Sequence, residues 1–104
     1  MKNIFFSEKC YDIVKRIPKG KVMTYKSVAK TLGTNAYRVV GNAMNKSPGM
    51  PEMPCHRVVK SNGEVGGFVH GTRKKIEMLN MEGVKVKNGK VDLEEYRYSL
   101  KSKS

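Results

Sequence analysis

The segment Ser47-Pro48-Gly49-Met50-Pro51-Glu52-Met53-Pro54 places three prolines and a glycine within eight residues. Proline lacks the backbone donor and fixes φ, so neither a helix interior nor a central strand can pass through this segment. Each residue before a proline is also driven toward extended geometry. The chain is therefore divided. A helical half precedes the loop, a half richer in turns follows it, and the loop delivers Pro54-Cys55-His56-Arg57-Val58.

Upstream, Cys10, Ile13, Val14 and Ile17 keep the i, i+3, i+4, i+7 spacing of a buried helical stripe. A helix is expected over 7–17, with Ser7 as N-cap, Glu8 complementing the dipole, and Pro18 and Gly20 as the stop. Cys10, on that stripe, reads as a small core residue. Thr24 caps a second expected helix running to about Leu32, with Val28, Ala29 and Leu32 inward and Gly33 just past its end. A third is expected over 35–46, carrying Val39, Val40, Ala43 and Met44. Two short helices joined by Gly33-Thr34 fit a helix-turn-helix, and also an ordinary helical hairpin. Charge favours the first. The chain carries 21 Lys and Arg against 9 Asp and Glu, a net charge of +12, and no acidic residue lies between Asp12 and Glu52. A one-sign field over both helices attracts polyanions, of which nucleic acid is the usual one. A membrane surface fits less well, because no helix pairs a basic face with exposed large apolar residues.

Downstream, Val58-Val59 suggests a short strand, Ser61-Asn62-Gly63 a turn, and Gly66-Gly67 a close backbone approach. Thr72 is the expected cap of a helix to about Met81, with Ile76 and Leu79 inward and Gly83 at its end. Between Val84 and Leu93, valines alternate with polar residues about Asn88-Gly89, the signature of a hairpin with a type I′ turn. A last helical turn is expected within 92–99. The expected fold is α+β: a small, mostly helical winged-helix-like domain with a helix-turn-helix and a short β-hairpin wing. One domain over 1–100 and a polar tail over 101–104 are expected at this length. No run approaches the roughly 18 apolar residues of a membrane span, and Met1 to Phe6 is too short for the core of a signal peptide.

Cys10 and Cys55 are the only cysteines, spaced as neither CxxC nor a zinc pattern, so free thiols in an intracellular protein are the simplest inference. With His56 and His70 they offer no standard chelate spacing, and no metal or organic cofactor is expected. A thiol is a nucleophile only as thiolate, a form favoured by positive neighbours such as His56 and Arg57. Adjacent residues of an extended segment point to opposite faces, so His56 would act on Cys55 through a bridging water or on a bent loop. Spacing alone favours a buried cysteine beside a surface histidine.

Pro54-Cys55-His56-Arg57-Val58-Val59 resembles the active-site signature of the O6-alkylguanine-DNA alkyltransferases, the methylated-DNA–protein-cysteine methyltransferases. Val22-Met23-Thr24-Tyr25 with Val28-Ala29 resembles the family's segment before its DNA-binding turn. Arg38-Val39-Val40-Gly41-Asn42-Ala43-Met44 resembles its recognition helix. The likeness covers roughly residues 4 to 84 and corresponds to the family's C-terminal active domain. It implies a single-turnover repair reaction. Double-stranded DNA would be bound through its minor groove by Thr24, Tyr25, Arg38, Gly41, Asn42, Ala43 and Ser61. Arg38 would fill the gap left by the flipped nucleotide, and Tyr25 would press on the adjacent phosphate. The O6-alkylguanine base would enter a pocket formed by Met44, Val58, Phe68 and Val69. The catalytic set would be Cys55, His56, Glu82 and Tyr25, with Glu82 orienting His56 and His56 taking the Cys55 proton through a water. A monomer is implied, with no membrane partner, working in the cytoplasm (nucleoid-associated if prokaryotic) or the nucleus. Ser47, Phe68 and Val69 depart from the family's usual Asn, Tyr and Ser. Two rivals share the fold: alkyltransferase-like proteins, which flip the base but lack the cysteine, and winged-helix regulators.

Overall fold

The computed structural model describes residues 2–46, 53–68 and 71–99, without the side chains of residues 2–6 and Asn45. The expectations for most of the proline loop, and for Ser47 and Val69, lie outside the described residues.

Helix α1 spans Lys2–Lys15. It begins before the expected cap, so Ser7 lies inside the helix: nothing between Lys2 and Ser7 breaks the backbone hydrogen bonding. Ile17 lies past its end, yet turn bonds from Arg16 N to Ile13 O and Ile17 N to Val14 O carry it into the core. Pro18 then forbids a further turn. Strand β1, Met23–Thr24, leads directly into α2, Tyr25–Thr31. Thr24 is the N-cap, and a reciprocal pair fixes the junction. Ser27 N donates to Thr24 Oγ1 and Thr24 N donates to Ser27 Oγ, both at 3.0 Å. Helix α3, Tyr37–Asn45, starts two residues later than expected. Ala36 N bonds Thr34 Oγ1 at 3.2 Å, holding 34–36 as a turn.

A single 3-10 turn, Cys55–Arg57, runs into strand β2, Val58–Val59. β2 pairs in parallel with β1, in the register Met23↔Val58 and Thr24↔Val59. Parallel neighbours need a crossover, which α2 and α3 supply. This pairing fixes the start of α2, with Tyr25, relative to the turn that carries Cys55. Helix α4, Thr72–Met81, has Gly71 as its cap residue at φ 95°, with Thr72 one position inside. Glycine reaches that φ without strain, which displaces threonine from the capping role.

β3, Val86–Lys87, and β4, Lys90–Val91, form the expected hairpin in the register Val86↔Val91, with Asn88 at φ 54° and Gly89 at φ 77°. The hairpin is sewn to the loop after β2: Val91 N donates to Gly63 O at 2.8 Å and Val65 N to Gly89 O at 3.0 Å. Gly63 permits that approach, since a Cβ there would stand 2.8 Å from Val91 O. The expected last turn is α5, Leu93–Tyr96, capped by Asp92. Beyond it the backbone lies parallel to Val22, with Val22 N bonding Tyr96 O and Tyr98 N bonding Val22 O. Two apolar clusters result. One holds Cys10, Val14, Ile17, Met23, Val28, Val40, Met44, Cys55 and Val58. The other holds Val22, Val59, Val65, Leu79, Val84, Val91 and Tyr96. The β1–β2 pair lies between them, one residue of each strand facing each side.

Candidate active site and nucleic-acid interface

Cys55–Arg57 is a 3-10 turn and not an extended segment, so its adjacent side chains are not set on opposite faces. Cys55 and His56 are both buried, at 3% and 0% exposure, which removes the reading of His56 as a surface histidine. His56 Nε2 lies 3.0 Å from Glu82 Oε2. Both ring nitrogens of His56 are buried without an aligned hydrogen bond among the described residues: Nδ1 has no partner, and Nε2 meets Glu82 Oε2 at ion-pair distance. Glu82 caps the C-terminal end of α4 and reaches this turn from 25 residues away. Read alone, it would be a solvated charge near a helix end; the structure makes it the hub of a buried cluster.

Arg57 is the other half of that hub. Its Nε donates to Glu82 Oε1 at 2.9 Å, its Nη2 to Oε2 at 2.7 Å, and its Nη1 to Ile17 O at 2.8 Å. The guanidinium is therefore committed to the carboxylate, and its expected role as a positive neighbour of the thiol gives way to a scaffolding one. The fork-to-fork geometry explains why arginine, with its planar donors, stands here. Burial raises the Glu82 pKa, but hydrogen bonds from Arg57 and His56 outweigh it and hold the carboxyl below its ordinary value. Burial lowers the His56 pKa; Glu82 pulls it back up, Arg57 and Lys75 push it further down, and the net is below the ordinary value. A neutral imidazole at pH 7, able to accept a proton, follows.

Lys75 is the residue that sequence reasoning missed. It is wholly buried. Its Nζ donates to Gly67 O at 3.1 Å, lies 3.3 Å from Tyr25 Oη, and sits 5.5 Å from the centre of the Tyr25 ring. The available signal was its i, i+4 relation to the inward Leu79. Burial pushes the Lys75 pKa down to about 8, opposed by the charge of nearby Cys55. Tyr25 is pushed up to about 12, by burial and then by Cys55, so its phenol keeps its proton at neutral pH.

Folded Lys75 releases its proton near pH 8, whereas the unfolded side chain holds it to 10.5. Between those values the unfolded chain binds more protons, so stability rises with pH there, and is lost as pH falls through 8. The full effect is on the order of 3 kcal/mol. Denaturant unfolding of the parent and of Lys75→Met from pH 7.5 to 10.5 should show the parent gaining on the variant. Parallel curves would mean that Lys75 is not buried as a cation.

An open cavity of about 340 Å³ lies between α2, α3 and the loop after β2, lined by Tyr25, Lys26, Tyr37, Arg38, Gly41, Lys60, Ser61, Gly66 and Gly67. The cations Lys26, Arg38 and Lys60 contribute to its lining, and among the described residues no acidic side chain does. Gly66 narrows one side: a Cβ there would meet the Lys60 stem at 3.2 Å and the Tyr25 ring at 3.6 Å. A Cβ at Gly67 would meet nothing within 4 Å, so its contribution is the carbonyl bonded by Lys75.

Of the expected DNA contacts, Arg38, Gly41, Ser61 and Tyr25 line this cavity, and Asn42 is exposed on α3. Thr24 and Ala43 are instead buried at 4%. Thr24 spends its hydroxyl on the α2 cap, and the Ala43 carbonyl accepts from Tyr11 Oη at 3.0 Å. Of the expected substrate-pocket residues, Met44 and Val58 are buried in the same apolar cluster as Cys55, and Phe68 packs against that cluster. They back the cysteine and do not line the open cavity.

A family profile described as "6-O-methylguanine DNA methyltransferase, DNA binding domain" matches residues 5–84. A methylated-DNA–protein-cysteine methyltransferase of Saccharolobus islandicus is 51% identical over 73 residues, 70% of this chain and 47% of that protein. The chain spans about half the length of the curated relatives it matches. Among solved structures, S. pombe Atl1 in complex with damaged DNA containing O6-carboxymethylguanine superposes with a TM-score of 0.85 at 32% identity, covering 93% of this chain and 97% of that one. The O6-methylguanine-DNA methyltransferase of Pyrococcus kodakaraensis gives 0.69 at 40% identity, covering 76% of this chain and 46% of that one. With the profile spanning most of its length, and a Cys-His turn braced by a distant glutamate, this chain belongs to the O6-methylguanine-DNA methyltransferase family.

Proposed function

We propose that this protein repairs O6-alkylguanine in double-stranded DNA by moving the alkyl group onto its own Cys55. The observation that carries the reading is the buried turn on which Cys55 is followed by a histidine held 3.0 Å from Glu82. α2 and α3 dock the minor groove, using the cationic lining of the cavity against phosphates. Arg38 fills the gap in the stack, and Tyr25 helps turn the damaged nucleotide outward. The base then lies between the open cavity and the cluster behind Cys55.

His56, neutral and oriented by Glu82, takes the thiol proton through a bridging water at Nδ1. The Cys55 sulfur attacks the alkyl carbon, the carbon–O6 bond breaks with its electrons going to guanine, and guanine takes up the proton. Sulfur keeps the alkyl group as a thioether, so each molecule acts once. The protein acts as a monomer on DNA, in the cytoplasm or nucleus; among the described residues no helix is long and apolar enough to cross a membrane.

One observation favours a second reading. S. pombe Atl1, the better superposition of the two, is solved holding DNA that carries an O6-alkylated guanine. Recognition of the lesion without transfer is the second reading. Intact mass spectrometry decides between them. After incubation with an O6-methylguanine duplex the protein should gain one methyl group, mapping to the Cys55 peptide and not to the Cys10 peptide. Tight binding with no adduct at any time would establish the second reading.

A further inference from the structure

Tyr37 opens α3 directly before Arg38, and no step of the proposed reaction uses it. It is 46% exposed, one of three large hydrophobic side chains, with Val39 and Met81, that stand out from the described surface. Of these three only Tyr37 lines the cavity. It belongs to neither apolar cluster, so the fold does not require the ring. Gly41 lies one helical turn along the same face and also lines the cavity. A Cβ at Gly41 would meet nothing within 4 Å. An aromatic wall thus stands beside a stretch of bare backbone, a shape suited to a flat group. The cations around the cavity suit a polyanion carrying such groups.

We propose that Tyr37 is a stacking platform for the base left unpaired when its partner is flipped out. This rests on the repair reading. Tyr37 is displaced by only about 100° of helix from Arg38, so at the duplex it sits beside the residue that fills the gap. The flipped base travels toward Cys55, past Tyr25 and the Lys75–Gly67 bond, and leaves that neighbourhood. With its hydrogen bonds gone and Arg38 parting the stack, its former partner is free to tilt toward the groove and lay one face against Tyr37. A tyrosine offers a broad apolar surface with a polar tip, suited to a wet groove, and stacking on it requires no particular base.

The test crosses protein and DNA changes. The parent, Tyr37→Ala and Tyr37→Phe are titrated with two duplexes, one holding O6-methylguanine opposite cytosine, the other holding it opposite an abasic site. Transfer to free O6-benzylguanine is timed alongside. Tyr37→Ala should weaken binding to the cytosine duplex by about 5- to 160-fold, the range for loss of one base–aromatic stack. On the abasic duplex, where nothing is left to stack, Tyr37→Ala and the parent should bind alike. Tyr37→Phe should follow the parent throughout, and all three should react equally with the free base. An equal loss on both duplexes, or no loss on either, overturns the assignment while leaving the repair reading intact. A parent protein that transfers to neither duplex nor to the free base would sink the repair reading first.

Discussion

Cys55→Ser is expected to abolish alkyl transfer to damaged duplex and to free O6-benzylguanine alike, while duplex affinity should stay at the parent level. The change swaps one heteroatom in a buried turn whose shape is set by backbone bonds, Cys55 N to Met53 O and Arg57 N to Pro54 O, that it leaves alone. The docking surface, with Arg38, Lys26 and Lys60, is also untouched. What changes is the chemistry. A serine hydroxyl gives up its proton far less readily than a thiol, and its oxygen is a far poorer nucleophile than a thiolate toward an alkyl carbon. Cys10 is the internal control. Burial pushes its pKa up to about 11, so at neutral pH it is an inert thiol in the core. Cys10→Ser should transfer normally and lose on the order of 1–3 kcal/mol of stability by burying a hydroxyl. Adduct formation by mass spectrometry, with anisotropy of a labelled duplex, checks both variants. Transfer surviving in Cys55→Ser, or vanishing in Cys10→Ser, would move the nucleophile.

The features legible in the sequence were those whose causes are local. Thr24 ahead of an apolar-periodic run announced a cap, and Asn88-Gly89 between alternating valines announced the hairpin, because both depend on a few adjacent residues. The start of α1 was misplaced because Ser7 is a good cap that the preceding residues never call upon: they simply continue the helix. Gly71 displaced Thr72 for a similar reason, since positive φ was needed and only the folded chain shows where. The site was half legible. The Cys55-His56 pair and Glu82 came from the family likeness, yet no spacing rule announces that Arg57 and Glu82, 25 residues apart, form a fork. Lys75 was hidden for a different reason. A lysine on a helix is ordinarily solvated, and its burial here is made tolerable by the Gly67 carbonyl and the Tyr25 phenol, which reach it only after folding.

That long-range fork sets the second large effect, in Glu82→Gln. The substitution removes the charge that holds both Arg57 and His56. Arg57 would keep Ile17 O, but its guanidinium, with a side chain only 11% exposed, would have no counter-charge. Breaking a buried pair from one side costs roughly 3–5 kcal/mol, a large fraction of the stability of a domain this small. Thermal melts should show it directly. The parent should also lose the Glu82 contribution as pH falls through the folded value of that carboxyl, below its ordinary 4.5, and the variant should lack this acid limb. Transfer should slow on duplex and free base together, because both need the Cys55 proton removed. Loss of folding alone could mimic this, so the deciding measurement is the pH profile of single-turnover transfer, taken well below the melting temperature. The acid side of that profile follows His56, whose pKa is lowered by burial and raised by Glu82. Without the carboxylate it should move to lower pH. Arg57→Met supplies the contrast: it removes the fork and much of its stability but leaves His56 beside Glu82, and it removes a cation that lowers the His56 pKa, so its limb should move to higher pH. Limbs shifted in opposite directions by two variants of similar stability would separate the proton relay from its scaffold. Coincident limbs would reduce Glu82 to a structural anchor.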